Sequence, residues 1–552
     1  MAFTFTPEQA AAVENRGGGL LVSAAAGSGT TRVLVERLLK RVEREGLDID
    51  RFLVISYTKA SAAELRARIV EALSDRIAQH PADAHLRRQA TLVYKAQIST
   101  VHALCARLLR ENGHLLDLNP DFRLCDEGEA GILMLRALGD VMDSRYETIA
   151  EGDDFALLVD TMSAGRDDSK LVQIVLDMRG RVQSHPDPAA WLDAQEKVFA
   201  LEGITDAGQT PWGRLLLEDA RRQADYCLRR MGDALELTHR DSNLEANYAP
   251  GISATMDAIR VLLAAIDRGW DATAAAFPIP FPLPGRKKIT DDPCAAQRVK
   301  AMRTLVKKRL EKLSEQFGDD SEGLLGDMRA VYPAIRGLFA LVKDFETAYS
   351  AEKTRRNLVD FSDLEHMAVR LLVGTDGSPT ALAEQQAQHF SELMVDEYQD
   401  TNEVQNAIFT ALSRGGANLF MVGDVKQSIY RFRLADPTIF LGKYRGFRPY
   451  TEAEEGQPRR MILSKNFRSR ATVLAGVNFV FKNIMSTEFG EMEYGADEAL
   501  YPGASYPEGG DYAVELDALD LAAEGEENED EEKVSKDLQE ARFVAHRIRS
   551  LL

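Results

Sequence analysis

The chain is 552 residues long, enough for about three or four domains, and its 45% hydrophobic and 28% charged residues supply real cores. A formal net charge of −20 does not advertise a nucleic-acid binder, although a local basic groove can work inside an acidic protein. The four cysteines, Cys105, Cys125, Cys227 and Cys294, show no CxxC spacing, which argues against a zinc site or a disulfide framework and for a reducing compartment.

The opening MAFTFTPEQAAAV lacks a charged leader followed by an apolar segment, and no run approaches the roughly 18 apolar residues of a membrane span. A cytoplasmic protein without membrane contact is expected. The next stretch, LLVSAAAGSGTTRVLVERLL, reads as an apolar strand, a turn of small residues and an amphipathic helix. Small residues let backbone N–H groups approach phosphate oxygens, the positive end of the helix faces the anion, and a hydroxyl serves magnesium. Ala24, Ala25, Ala26, Gly27, Ser28, Gly29, Thr30 and Thr31 are therefore candidate nucleotide ligands, with Thr31 the hydroxyl for the metal. The loop departs twice from the strict phosphate-binding pattern, with Ala24 at the first glycine position and Thr30 where the lysine belongs. By itself such a loop without the lysine is more often a plain strand-to-helix turn.

RFLVISY and the helix ASAAELRARIVEAL follow, continuing the alternation of a parallel sheet covered by helices. From about Leu108 to Leu358 the pattern becomes long and helical, as in GRLLLEDARRQADYCLRRMGDALEL and AMRTLVKKRLEKL, and reads as an insert. Within it FPIPFPLPG is too rich in proline for a helix or a central strand. RKK comes next, then a helix bearing Arg298, Lys300, Arg303, Lys307, Lys308 and Arg309, either a solvated face or a contact to a phosphate backbone. Strands resume with SELMVDEYQD, NLFMVGD and RMILSKNF, each ending in polar residues where a doubly wound sheet places its ligands. The first delivers Asp396 and Glu397, one carboxylate suited to hydrated magnesium and its neighbour to activating water. Paired acids are common by chance, but together with the upstream loop they point to one crevice. EGEENEDEEK near the end reads as an exposed linker.

These runs carry a resemblance. VDEYQD, VGDVKQSIYRFRLADP, LSKNFRSR, TPEQ, SYTKASAAELRARI and ISTVHALC, in this family's order from Thr6 to about Arg470, look like the UvrD/Rep class of superfamily 1 DNA helicases. ASAAE and VGDVKQSIYRFRLADP are most similar to the AddA (RexA) subunit of bacterial ATP-dependent helicase-nuclease complexes. The resemblance implies an α/β, RecA-like P-loop NTPase sheet with a large helical insert, followed by the start of a second RecA-like domain. The expected divisions are 1–107 and 359–470 for the two parts of the first motor domain, 108–358 for the insert, and 471–552 for the incomplete second domain.

The resemblance also assigns roles to matching residues. Gln9 matches a glutamine that reads adenine, although it is equally a polar residue at a helix start. Asp396 and Glu397 match the magnesium carboxylate and the catalytic base, Gln427 a sensor of the γ-phosphate, and Arg468 an arginine that stabilises transferred charge. Tyr57, which stands for a more usual phenylalanine, with Thr58, Thr100, His102, Tyr430, Phe432 and Arg433 matches the track for single-stranded DNA. Without the resemblance Phe432 reads as core. ATP, Mg2+, single-stranded and duplex-end DNA, and an AddB-type nuclease subunit in a heterodimer are the implied cofactors and partners.

Two departures qualify this. Thr30 brings no charge to the phosphates, and Arg32 is turned away around the helix, so weak nucleotide binding with poor hydrolysis is expected. The family's later motifs, including a second arginine on ATP and the nuclease, are absent. The chain is expected to be an amino-terminal motor portion, or one piece of a split assembly, incapable of sustained unwinding alone. The leading function is a three-prime to five-prime helicase in double-strand break repair. Its rival is a non-catalytic single-strand DNA binding or scaffolding module. A small-molecule kinase leaves IYRFR, STVHA and the insert unexplained, and no clustered acids with a lysine support nuclease chemistry here.

Overall fold

The computed structural model describes residues 4–162, 167–285, 292–507, 513–519 and 536–552. Its contacts divide the chain into two units, Met1–Leu104 with Leu372–Leu552, and Cys105–Leu371.

In chain order the strands are β1 (Leu20–Ala24), β2 (Phe52–Ser56), β3 (Gln97–Thr100), β4 (Arg123–Leu124), β5 (Leu358–Val359), β6 (Glu392–Val395), β7 (Leu419–Gly423), β8 (Arg448–Pro449), β9 (Arg459–Leu463), β10 (Lys465–Asn466) and β11 (Tyr501–Pro502). The first unit is built on seven of them in the order β3-β2-β6-β7-β1-β9-β8. Every pairing in this sheet is parallel. This is the parallel α/β sheet read from the alternation of apolar strands and amphipathic helices, and it is consistent with the RecA-like fold that the resemblance implies. β2, β6 and β7 are buried along their whole length, as strands covered on both faces must be, and so lack any alternation of polar residues.

The register aligns the carboxyl ends. Ser23 lies opposite Gly423, Ala24 opposite Leu463, Met421 opposite Val395, Ile55 opposite Val395, and Ser56 opposite Thr100. The loops after β1, β2, β3, β6, β7 and β9 therefore leave one edge of one sheet. The helix Thr30–Glu45 buries Val33, Leu34, Leu38 and Val42 in the core beneath it, with Phe52, Val54, Met394 and Phe420.

One buried ion pair ties that helix to the sheet. Arg37 Nη2 lies 2.6 Å from Glu392 Oε1, while Arg37 Nη1 donates to the carbonyls of Ala12 and Asn15 at 2.7 Å each. Arg41 Nη1 stands 3.2 Å from Glu392 Oε2, and the Arg37 guanidinium lies 4.7 Å from the centre of the Phe420 ring. Despite its full burial Glu392 is held below the usual carboxylate range by the two arginines.

The second unit is helical, with two separate cores. Leu133, Leu138, Leu158, Leu171, Val175 and Phe345 belong to one, and Cys227, Met231, Ile252, Ile259, Val299 and Val306 to the other. Its second boundary falls later than 358 because β5 pairs with β4, and His366, in the following helix, bonds the Gln183 carbonyl at 3.1 Å. The helix Ser242–Ile266 is long and apolar enough to cross a membrane by length and composition, although Glu245, Asp257 and Arg260 interrupt its apolar residues. Leu244, Ile252, Ile259 and Leu262 place one face of it in the second core.

The segment FPIPFPLPG contains no helix or strand. Arg303 departs from the reading of a basic exposed face. It is buried, its Nη2 donates to the Pro282 carbonyl at 2.6 Å, and its guanidinium stands 5.6 Å from the Tyr248 ring centre, so it fastens the proline segment to the helix Pro293–Glu315. Arg298, Lys300, Lys307, Lys308 and Arg309 of that helix are exposed. RKK and EGEENEDEEK lie outside the described residues. Residues 513–519, in DYAVELDALDL, form no strand, and Lys536–Leu551 is a helix.

Candidate nucleotide and nucleic-acid site

The loop after β1 folds back on itself through two glycines in the left-handed region, Gly27 at φ 69° and Gly29 at φ 77°. Gly29 is the N-cap of the helix Thr30–Glu45 and supplies no side chain to it, and no acidic residue occupies the first turn. The first-turn N–H groups thus lack a side-chain cap at the positive end of a 16-residue helix. Ser28 is buried, and its hydroxyl has no hydrogen-bond partner among the described residues. Thr30 and Thr31 are half-buried on the first turn.

Three segments close around this loop. Gln9 serves the helix Pro7–Glu14 as half of a capping box with Thr6, and its Nε2 donates to the Ser28 carbonyl at 2.8 Å. The helix-start reading of Gln9 thus holds, and the same side chain also reaches the loop. Asn466 Nδ2 donates to the Ala26 carbonyl at 2.6 Å, and its Oδ1 accepts the N–H groups of Arg468 and Ser469 at 2.8 and 2.7 Å. A Cβ built on Gly27 would lie 2.9 Å from the Arg468 Cβ, so the glycine is required for the NFRS segment to approach. Ala25 shares a small apolar cluster with Leu474 and Leu500.

The acid pair ends β6. Between β1 and β6 lies only β7, and two strand spacings amount to about 10 Å. The glycine loop and the acids thus share one crevice at the carboxyl edge. Burial and the neighbouring Glu397 carboxylate push the Asp396 carboxyl up to about 7. An acid in that condition gains from a cation, which together with the unpaired Ser28 hydroxyl and the open glycine nest fits a magnesium–nucleotide. Glu397 is exposed and has a left-handed backbone (φ 54°, ψ 42°), rare for a residue with a side chain and typical of strained functional turns. Asp400, on the turn Tyr398–Asp400, is raised to about 6 by burial and by Glu397.

Gln427 belongs to the turn Val425–Gln427 after β7 and donates through Nε2 to Asp424 Oδ2 at 3.0 Å. The next turn, Arg431–Arg433, holds an aromatic group in solvent. Phe432 is 75% exposed, so the reading of it as core fails, and Tyr430 is 38% exposed. Their rings stand 5.9 Å apart, with the Arg433 guanidinium 5.2 Å from one centre and 5.5 Å from the other. Two exposed rings under a guanidinium form a surface on which flat, anionic polymers stack.

The remaining predicted contacts leave the same edge. Tyr57 follows β2, and its hydroxyl shares a 2.5 Å hydrogen bond with that of Thr401. Thr58 caps the helix Lys59–Gln79, accepting the Ser61 N–H at 3.0 Å. Thr100, at the end of β3, accepts the Ala103 N–H at 3.3 Å, and His102 lies half-buried on the following turn. Sequence reasoning did not single out Asn466, Thr401, Asp424 or Gln399. Asn466 and Asp424 were visible as polar residues closing apolar runs. The other two carry no local signal. Larger cavities, of about 620 and 480 Å3, are grooves along the helix Pro293–Glu315 of the helical unit, and neither is lined by a glycine.

The family model described as the UvrD/REP helicase N-terminal domain matches residues 5–448. The chain is 38% identical over 568 residues to the A subunit of the ATP-dependent helicase/nuclease of Bacillus cytotoxicus, an alignment covering 99% of this chain and 45% of the relative. The protein of the same name from Lachnoclostridium phytofermentans is 38% identical over 598 residues, covering 100% and 42%. That of Acetivibrio thermocellus is 37% identical over 588 residues, covering 99% and 46%. The chain spans about half the length of the curated relatives it matches.

Proposed function

The chain belongs to the UvrD/REP helicase N-terminal domain family, and from that premise we propose that it is the motor portion of an ATP-dependent three-prime to five-prime DNA helicase. It acts within a helicase-nuclease complex of double-strand break repair, beside an AddB-type partner. The observation that carries this reading is the shared crevice, with the nest around Gly29 on one side of β7 and Asp396 and Glu397 on the other. ATP is the substrate. Mg2+, when bound by Asp396, the Thr31 hydroxyl, waters and phosphate oxygens, neutralises charge on the phosphates.

The chain's own groups do the rest. The loop N–H groups from Gly27 to Thr31 bind the phosphate oxygens. Gln9, whose Oε1 accepts the Thr6 N–H at 2.9 Å while Nε2 holds the loop, has its amide orientation fixed and one N–H left for adenine. Glu397 orients and deprotonates the attacking water, and Arg468, rooted against Gly27, sets its fork of donors on transferred charge. Tyr57, Thr58, Thr100, His102, Tyr430, Phe432 and Arg433 grip single-stranded DNA along the same edge. Thr30 stands where such loops carry a lysine, so hydrolysis is impaired and nucleotide binding weak. Residues 1–104 with 372–470 make the first motor domain, 105–371 the insert, and 471–552 the beginning of a second motor domain. The compartment is the cytoplasm.

The test measures phosphate release with and without single-stranded DNA, for the chain and for Glu397→Gln. DNA-stimulated release that the substitution abolishes is the expected result. Tight DNA binding with no release above the Glu397→Gln background, even after Thr30→Lys, would leave a non-catalytic DNA-binding module.

A further inference from the structure

Gln399, two residues beyond Glu397, is 2% exposed, and both ends of its carboxamide are engaged. Nε2 donates to Glu397 Oε2 at 2.8 Å, while Oε1 accepts the Asp424 N–H at 3.0 Å. Asp424 then takes the Gln427 amide on Oδ2 at 3.0 Å, and the Lys426 N–H and ammonium on Oδ1 at 3.1 and 2.8 Å. A continuous run of hydrogen bonds thus links Glu397 to Gln427, from the end of β6 to the turn after β7.

The seat is built for this amide. A Cβ on Gly423 would lie 2.4 Å from Gln399 Oε1, so the strand must end in glycine for the amide to reach Asp424. Glutamine is also the residue type the link demands. It meets an N–H with an acceptor and a carboxylate with a donor, whereas glutamate offers two acceptors and lysine only donors. Flipping the amide would leave the N–H facing a donor and the carboxylate facing an oxygen, both costly in a buried place.

We infer that Gln399 is a positioning residue that aims the Glu397 carboxylate and couples its orientation to the turn carrying Gln427. The inference rests on the ATP hydrolysis proposed above. A shift of the turn Val425–Gln427 pulls on Asp424, and through Gln399 turns the base toward or away from water. Gln399 touches neither substrate nor metal in this role.

The test uses the full chain carrying Thr30→Lys as reference, with Gln399→Met and Gln399→Glu made in it. The kcat and KM for ATP are measured at saturating single-stranded DNA across pH, and the Kd for a fluorescent ADP analogue is measured alongside. Gln399→Met is expected to lower kcat about tenfold or more, while KM and Kd stay within about twofold. Gln399→Glu keeps the volume. It is expected to lose activity at about pH 8 and to recover it partly toward about pH 6, where a shared proton restores the donor to Glu397 and the reference enzyme declines. Misfolding cannot produce such acid-side recovery. An unchanged kcat in Gln399→Met, a parallel loss of nucleotide affinity, or no rise toward about pH 6 in the activity of Gln399→Glu relative to the reference at the same pH overturns the inference and leaves the hydrolytic reading standing. A reference chain with no turnover above Glu397→Gln overturns both.

Discussion

Replacing Thr30 by lysine adds one positive charge at the first residue of the helix Thr30–Glu45. Thr30 is half-buried, the N-cap Gly29 offers no competing side chain, and the first turn contains no acid that would draw the ammonium away. With Nζ about 4 Å from a phosphate oxygen and an effective dielectric near 20, the contact amounts to about 4 kcal/mol. If about half of that is present in the bound ground state, the Kd for Mg-ATP tightens on the order of thirtyfold. The other half, expressed only as charge develops, raises kcat by a similar factor, and the product reaches on the order of a thousandfold in kcat/KM. The helix terminus contributes a few tenths to about 1 kcal/mol in either chain and cancels. The assay is phosphate release at saturating single-stranded DNA over a range of ATP, with Thr30→Lys/Glu397→Gln as the background. A gain in kcat/KM below about tenfold would refute the claim that a missing charge at position 30 limits this site.

Three further outcomes follow from the geometry. Because Asp396 must lose its proton to bind Mg2+ and its carboxyl titrates at about 7, Mg-nucleotide affinity should fall by about tenfold per unit as pH drops below that value. Fluorescent-nucleotide titrations with and without the metal would show this, and a flat profile from about pH 5.5 to 8 contradicts the assignment of Asp396. Phe432→Ala removes an exposed stacking face and should weaken single-stranded DNA by about 1–3 kcal/mol with little change in the salt slope; unchanged fluorescence-anisotropy Kd values would take the aromatic turn out of the track. Arg37→Met leaves Glu392 buried with only Arg41 beside it and should cost about 3–5 kcal/mol, with Arg37→Met/Glu392→Leu less destabilised than the single change. Thermal midpoints showing the double variant worse than the single would mean that the carbonyls of Ala12 and Asn15, not the carboxylate, are what Arg37 satisfies.

Much of the crevice was legible because each ligand-bearing segment is local. The apolar run LLVSA, the small residues after it and the amphipathic helix are written contiguously, and so are ELMV and the two acids. A strand that ends in polar residues declares where its carboxyl edge is, so the loop and the acids could be placed from their order in the chain, whereas Gln427 and the residues after β2 and β3 were singled out by the family resemblance. Phe432 shows the limit of such reading. A single aromatic reads as core, whereas the ring sits in solvent on the short turn Arg431–Arg433, which ends at the left-handed Leu434.

Amino-acid order alone determined the alternation of strands and helices, the glycines that let a backbone turn back, and the absence of a charge at position 30, since all of these are decided within a few residues of the chain. Folding in three dimensions decided the strand order β6-β7-β1 that brings acids and glycines separated by more than half the chain to one edge, the inward turn of Arg303, the burial of Arg37 against Glu392, and the bonded run from Glu397 through Gln399 and Asp424 to Gln427. The physical reason is range. Periodicity and backbone preference act between neighbours, whereas the partner of a buried polar group is whichever donor or acceptor the packed sheet brings within about 3 Å of it, and nothing in the local sequence names that partner.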